Sequence, residues 1–241
     1  YSPQLHVFAD QCTYYYGFTT SKAPSDEVLV RKAFASAVDR SALIADILGG
    51  QQPALTYAPP GLVGHVDGYA EGVGLPYDPT QAQQWLADAG YAGGAGLPTI
   101  TLWFNESAGQ QTTAEYVRDS WRATLGVSVT LDSIPWDDYL SEPLSRFQVW
   151  RLGWCMDYAD ASNFSDDGVH RDGHDWHNST CEALLDQAAM EEDPDMRAEL
   201  YRQPEKILVE TDAVMMPLYY YGSPFAAKPY LNRTYPTGAG F

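Results

Sequence analysis

Positive charge is scarce in this chain. Lys and Arg together number 14 against 32 Asp and Glu in 241 residues, a formal charge of −18. A field of that sign repels nucleic acid and anionic membrane surfaces, and favours cationic or zwitterionic partners. Long apolar runs are missing too: none approaches the ~20 residues that span a bilayer. The start, Tyr1 to Phe8, lacks the basic and apolar regions of a signal peptide, so any export address is expected upstream. Cysteine is limited to Cys12, Cys155 and Cys181 without CxxC spacing, which leaves open one disulfide plus a thiol or three reduced thiols. GxSxG, P-loop, GxGxxG and HExxH are all absent, and Gly93-Gly-Ala-Gly96 has no following basic residue to hold phosphate.

What remains is ample packing material. At 45% hydrophobic and 13% aromatic residues, the chain can bury a core and is not of disordered composition. Its length suits one large domain or two small ones. Start and stop signals predict helices from Ser25 or Asp26 to Val38, from Asp39 or Ser41 to Leu48, and from Asp78-Pro79 to Gly90. Others are expected from Thr112 or Thr113 to Leu125, Thr180 to Met190, and Pro194 to Glu210. Period-2 alternation predicts strands at Thr99–Phe104 and Val127–Ile134; continuous apolar runs predict central strands at Phe147–Trp154 and Ala213–Tyr221, with Cys12–Phe18 as a fifth. Alternating helices and strands imply an α/β unit with a mixed sheet. Residues 51–76 and 165–179 read as irregular, and Tyr1–Val7 and Lys228–Phe241 as connecting chain.

The strand Phe147–Trp154 runs into Cys155-Met-Asp-Tyr158 and then turn-type residues. A carboxylate just past a strand end can be held rigidly at a cleft, where it suits capture of an amine. Asp157 can equally cap the short helix after it. The loop holding His170, His174 and His177 among Asp166, Asp167, Asp172 and Asp175 has zinc-ligand chemistry, the basis of a metallohydrolase reading, but no rigid scaffold. No physiological metal is expected there. Asn105, Asn163, Asn178 and Asn232 fit a short glycosylation pattern that gives many false matches. Tyr14-Tyr15-Tyr16 and Tyr219-Tyr220-Tyr221 suit core packing on one face and cleft lining on the other.

Taken in order, Cys12-Thr-Tyr-Tyr-Tyr16, Val30-Arg-Lys-Ala-Phe-Ala-Ser-Ala-Val-Asp-Arg40, Tyr77-Asp-Pro with Asp88-Ala-Gly-Tyr91, Leu125-Gly-Val through Trp136, Gly153-Trp-Cys-Met-Asp-Tyr158 and Met216-Pro-Leu-Tyr-Tyr-Tyr221 resemble the solute-binding proteins of peptide-type ABC importers, family 5. The resemblance implies a periplasmic-binding-protein-like type II lobe, a mixed sheet flanked by helices. Residues 1–241 would form the second lobe alone, expected to be monomeric, with 1–11 and 222–241 as hinge-proximal connecting segments and the first lobe outside this chain. It implies an exported, periplasmic or lipid-anchored receptor, not an enzyme, that needs no cofactor, captures short peptides by hinge closure and delivers them to an ABC permease. Asp157 would pair with the peptide α-ammonium. Gly153 and Cys155 would bond the extended peptide through their backbone, a form of β-augmentation. Trp154, Trp136 and Tyr15 would wall side-chain pockets, and Arg151 would meet a peptide carboxylate. Cys12 and Cys155 would form a disulfide, which suits an oxidising compartment, with Cys181 as spare thiol. Gly17 departs from the pattern, which has an acidic residue after the Tyr triplet. Relatives of the same fold that take nickel chelates or oligosaccharides provide the alternative ligands.

Overall fold

The computed structural model describes residues 5–46, 49–165 and 173–226. A six-stranded mixed sheet organises it. The strands are β1 (Leu5–Phe18), β2 (Gln52–Pro53), β3 (Ile100–Asn105), β4 (Val129–Ile134), β5 (Val149–Cys155) and β6 (Met215–Ala226), in spatial order β2-β6-β1-β5-β3-β4. β1 lies antiparallel between β5 and β6, β2 pairs antiparallel with β6, and β3 runs parallel to both β4 and β5. The expected mixed α/β architecture is therefore what forms.

Alternation along β1 sends side chains to two cores. Tyr14, Tyr16 and Phe18 face helices α1 (Val28–Ser36), α4 (Pro79–Asp88) and α5 (Ala108–Leu125). There Phe34 stacks on Trp121 with centroids 4.5 Å apart, and the indole N–H donates to the Phe34 carbonyl at 2.9 Å. Tyr15, with Trp150 and Leu152 of β5, faces the opposite core. That core is completed by Tyr57, Phe147 and Phe164, by α6 (Trp136–Ser141), α7 (Ser162–Ser165), α8 (Ser179–Met190) and α9 (Pro194–Lys206). Each fully buried aromatic of this kind contributes roughly 1.5–3 kcal/mol.

Side-chain caps open several helices, those at Asp78 and Asp39 where expected. Asp78 accepts from the Gln81 amide with Pro79 behind it, Asp39 accepts from Ser41 and Ala42 ahead of α2 (Arg40–Asp46), and Asn178 and Asp193 cap α8 and α9. Three boundaries differ. α1 begins without a side-chain cap, its N-cap position being Glu27, while Arg31 binds the Ser25 and Asp26 carbonyls. α5 starts four residues before Thr112, whose hydroxyl, like that of Thr113, bonds back to the carbonyl four residues earlier instead of capping. The helix from Pro194 gives way at Lys206 to a π-type turn, Ile207–Thr211, next to Pro204, which has no N–H for the regular ladder.

The segment 51–76 holds β2 and a one-turn helix α3 (Gly68–Glu71) capped by Asp67. Leu5–Val7, read above as connecting chain, instead belongs to β1: Leu5–Ala9 pair with Gly222–Ala226 in a two-stranded ribbon. A register shift between Ala9/Gly222 and Thr13/Tyr220 separates that ribbon from the body of the sheet.

Candidate functional site

β5 opens the sheet. It pairs with β1 along its whole length but with β3 only at Val149 and Trp150. The bonds from Thr19 N–H to the Gln148 carbonyl (3.0 Å) and from Met156 N–H to the Gln11 carbonyl (2.9 Å) set the phase of the β1–β5 ladder. In an antiparallel pair alternate residues exchange both bonds, so the even-numbered residues of β5 face β1. The backbone groups of Arg151, Gly153 and Cys155 point the other way, into the split between β5 and β3. Tyr139 fills the start of that split: its hydroxyl accepts from the Arg151 N–H at 3.1 Å and donates to the Arg151 carbonyl at 2.8 Å. Its ring stacks on Phe147 at 5.2 Å, and Trp136, 42% exposed, stacks outside it at 6.3 Å. Beyond Tyr139, no strand lies on the β3 side of Gly153 and Cys155 among the described residues. A Cβ at Gly153 would stand 2.9 Å from the Tyr221 hydroxyl, so glycine allows that close approach.

Arg151 is buried on the Tyr14 side of β5. Its guanidinium donates to Asn105 Oδ1 and to the Tyr221 hydroxyl, each at 3.0 Å, and lies 4.7 Å from the centroid of the Tyr14 ring. Among the described residues no carboxylate pairs with it. Burial pushes the Tyr14 phenol up to about 12, with Arg151 pulling against it, so the ring faces the cation as a neutral aromatic. Tyr14 in turn donates to Gln110 Oε1 at 2.7 Å and stacks on Tyr219.

Asp157 stands just past the end of β5. It is exposed and makes no ion pair among the described residues. Its main-chain N–H donates to Asn163 Oδ1 at 2.8 Å; the same oxygen accepts the Trp154 indole N–H at 3.3 Å, and Asn163 Nδ2 lies 3.4 Å from Asp157 Oδ2. Asp157 is not the helix cap. That role falls to Asp160, which accepts from the Ser162 amide and is tied to Arg197 and the Tyr201 hydroxyl. Those donors hold the Asp160 carboxyl below its usual range against the opposing effect of burial. Cys12 and Cys155, opposite each other in the β1–β5 register, are joined by a disulfide, and Cys181 is a buried thiol.

The structure thus gathers Gly153, Trp154, Cys155 and Asp157 at one strand end, with Arg151 beneath and Trp136 on the neighbouring helix. Tyr15 is a correction. It is wholly buried on the opposite side of β1 from Tyr14, its ring 5.1 Å from Tyr57 and 5.9 Å from Trp150, and presents no surface to a ligand. The same core accounts for Gly17: a Cβ there would fall inside the Trp150 indole, so Trp150 occupies the space of the missing acidic side chain. Of the histidine loop, His174 and His177 are described, while Asp166 and Asp167 are not. His174 is buried with Nδ1 on the Phe18 carbonyl, while His177 is exposed and paired with Glu182, so the two do not converge as ligands. His170 and Asp172 lie outside the described residues. Of the asparagines in the glycosylation pattern, Asn105 and Asn163 accept through Oδ1 from Arg151 and from the Asp157 N–H, and Asn178 donates through Nδ2 to Asp212. Asn163 and Tyr139 escaped sequence reasoning: one sits in an unremarkable polar tripeptide, the other in a short acidic helix. A cavity of about 550 Å³ between Val63, Asp160, Met190 and Arg197 lies behind the Asp157 loop and includes none of the strand-end residues.

A family model for bacterial extracellular solute-binding proteins, family 5 Middle, matches residues 3–175. The chain belongs to this family. Among its relatives, the oligopeptide-binding protein OppA of Bacillus subtilis is 29% identical over 98% of this chain and 45% of its own length. The probable deoxycholate-binding periplasmic protein YgiS of Escherichia coli is 32% identical over 95% of this chain and 44% of its own. The structure of OppAIV, a periplasmic oligopeptide-binding protein of Borrelia burgdorferi, superposes with a TM-score of 0.84 at 26% identity, covering 92% of this chain and 45% of that one. The chain spans about half the length of the curated family 5 relatives it matches.

Proposed function

We propose that this chain is the peptide-contacting lobe of an exported, two-lobed ABC-importer receptor that captures short peptides and hands them to a membrane permease. One observation carries the reading: the open β5 edge directs the backbone groups of Gly153 and Cys155 outward and ends at an exposed carboxylate, Asp157, with no cation paired to it among the described residues. A receptor for many sequences must draw affinity from what all peptides share, their backbone and terminal charges. An extended peptide laid along β5 would add a strand, and its α-ammonium would meet Asp157. Arg151, a buried cation without a carboxylate partner, is placed to favour the peptide's carboxylate end. Trp154 and Trp136 would border side-chain space. The disulfide holds Cys155 in register with β1, so the edge is presented rigidly. The ribbon made by Leu5–Ala9 and Gly222–Ala226 lies within the segments 1–11 and 222–241 and would lead to the hinge. This is a binding role, not catalysis.

Other members of the family are named for other ligands, deoxycholate among them. A bile-acid carboxylate would be repelled by Asp157 and by a chain of charge −18, which favours an amine-bearing ligand. The test is calorimetry of the full-length protein with short peptides. Asp157→Ala is expected to weaken binding by about 2–5 kcal/mol, because it strands an ammonium in a closed cleft. Unchanged affinity would discard the assignment, as would tighter binding of deoxycholate than of any peptide.

A further inference from the structure

We propose that Asn163 is a positioning residue that sets both the ammonium-binding carboxylate and the adjoining aromatic wall through one buried amide oxygen. The inference rests on the peptide reading of Asp157. Asn163 is 7% exposed and is the second residue of the short helix α7. Its Oδ1 accepts from two donors that belong to different parts of the candidate site: the Asp157 main-chain N–H at 2.8 Å and the Trp154 indole N–H at 3.3 Å. Asp157 has left the ladder, so no strand neighbour fixes its backbone. The preceding residue, Met156, makes the last bond to β1, through the Gln11 carbonyl. The next fixed point is Asp160, anchored by Arg197 and Tyr201 and by the bond from Ala161 N–H to the Val63 carbonyl. Between these anchors, Asn163 alone among the described residues receives the Asp157 N–H.

A main-chain N–H held at 2.8 Å fixes the direction in which the Asp157 side chain leaves the backbone. The carboxylate can then stay in water until an ammonium arrives without first having to be ordered, which is how preorganisation raises affinity. Because the amide is buried, water does not compete for its oxygen. The same atom holds Trp154 by its indole, so ammonium recognition and the adjoining side-chain wall are set together. Asn163 Nδ2, 3.4 Å from Asp157 Oδ2, leaves that carboxylate oxygen open to a closer donor from the ligand.

The experiment compares trialanine with N-acetyl-trialanine on the full-length protein, and the readout is the ratio of their affinities. The native protein is expected to prefer the free amine at least tenfold. Asn163→Ala should lower that ratio to within threefold of one, through weaker binding of the free amine with little change for the acetylated peptide, and should shift the Trp154 fluorescence. Asn163→Asp keeps both accepted bonds but sets an oxygen in place of Nδ2, 3.4 Å from Asp157 Oδ2, and should restore the preference in part. A ratio unchanged in Asn163→Ala, or lost equally in both variants, overturns the proposal while peptide binding stands. A native ratio near one, or one unaltered by Asp157→Asn, instead removes the reading of Asp157 on which this depends.

Discussion

A single buried carboxyl shows how much chemistry one residue can hold away from any ligand. Glu205 of α9 is 4% exposed and accepts from the Tyr57 N–H; the Ala58 N–H also lowers its pKa. Burial outweighs these donors and pushes the carboxyl up to about 7. The folded state therefore keeps this proton to higher pH than the unfolded state, whose carboxyl titrates at about 4.5. By linkage, the stabilisation from protonation is complete below about 4.5 and is lost as pH rises through about 7. Between pH 5.5 and 8 this group alone should remove about 2 kcal/mol. Glu205→Gln should flatten that part of the stability profile, measured by denaturant unfolding of the full-length protein at the two pH values. An equal fall in native and variant proteins would show that Glu205 does not titrate in this range.

At the scale of elements, the split between β5 and β3 depends on Tyr139. Its hydroxyl stands in for a β3 residue by bonding both backbone groups of Arg151. Tyr139→Phe keeps the ring between Phe147 and Trp136 but strands a buried N–H and C=O, which should cost about 1–3 kcal/mol of stability in unfolding experiments. A loss below a few tenths would mean that water or a shift of β3 replaces the hydroxyl. The same contrast explains what could be read beforehand. Caps such as Asp78-Pro79 and Asp39 were legible because a side chain bonds an amide two or three residues away, and the strand-end position of Asp157 is equally local. Tyr139 reaches Arg151 across 12 residues, and Gly17 is explained only by Trp150 on the neighbouring strand. Such contacts leave no periodic mark. Tyr15 was misplaced for a related reason: alternation puts it opposite Tyr14 and Tyr16, but not which face meets the cleft.

At the scale of the whole molecule, the site is one-sided. On the proposed peptide reading, β5 offers one edge, one ammonium partner and one wall, and an extended peptide lying on it would keep its other edge and face in water. Main-chain hydrogen bonds exchanged against water are worth about 0.5–1.5 kcal/mol each, too little to offset the cost of holding a flexible peptide. Enclosure by the remainder of the full-length protein changes both terms, since it removes water from the Asp157–ammonium contact and supplies a second row of partners. The chain should therefore bind a given peptide at least about 100-fold, or 2.7 kcal/mol, more weakly when produced as residues 1–241 than in the full-length protein. Circular dichroism of the shorter form would establish that it is folded, and calorimetry of both would give the difference. Equal affinities would mean that the β5 edge and Asp157 suffice without closure, and that the remainder of the receptor serves delivery and not capture.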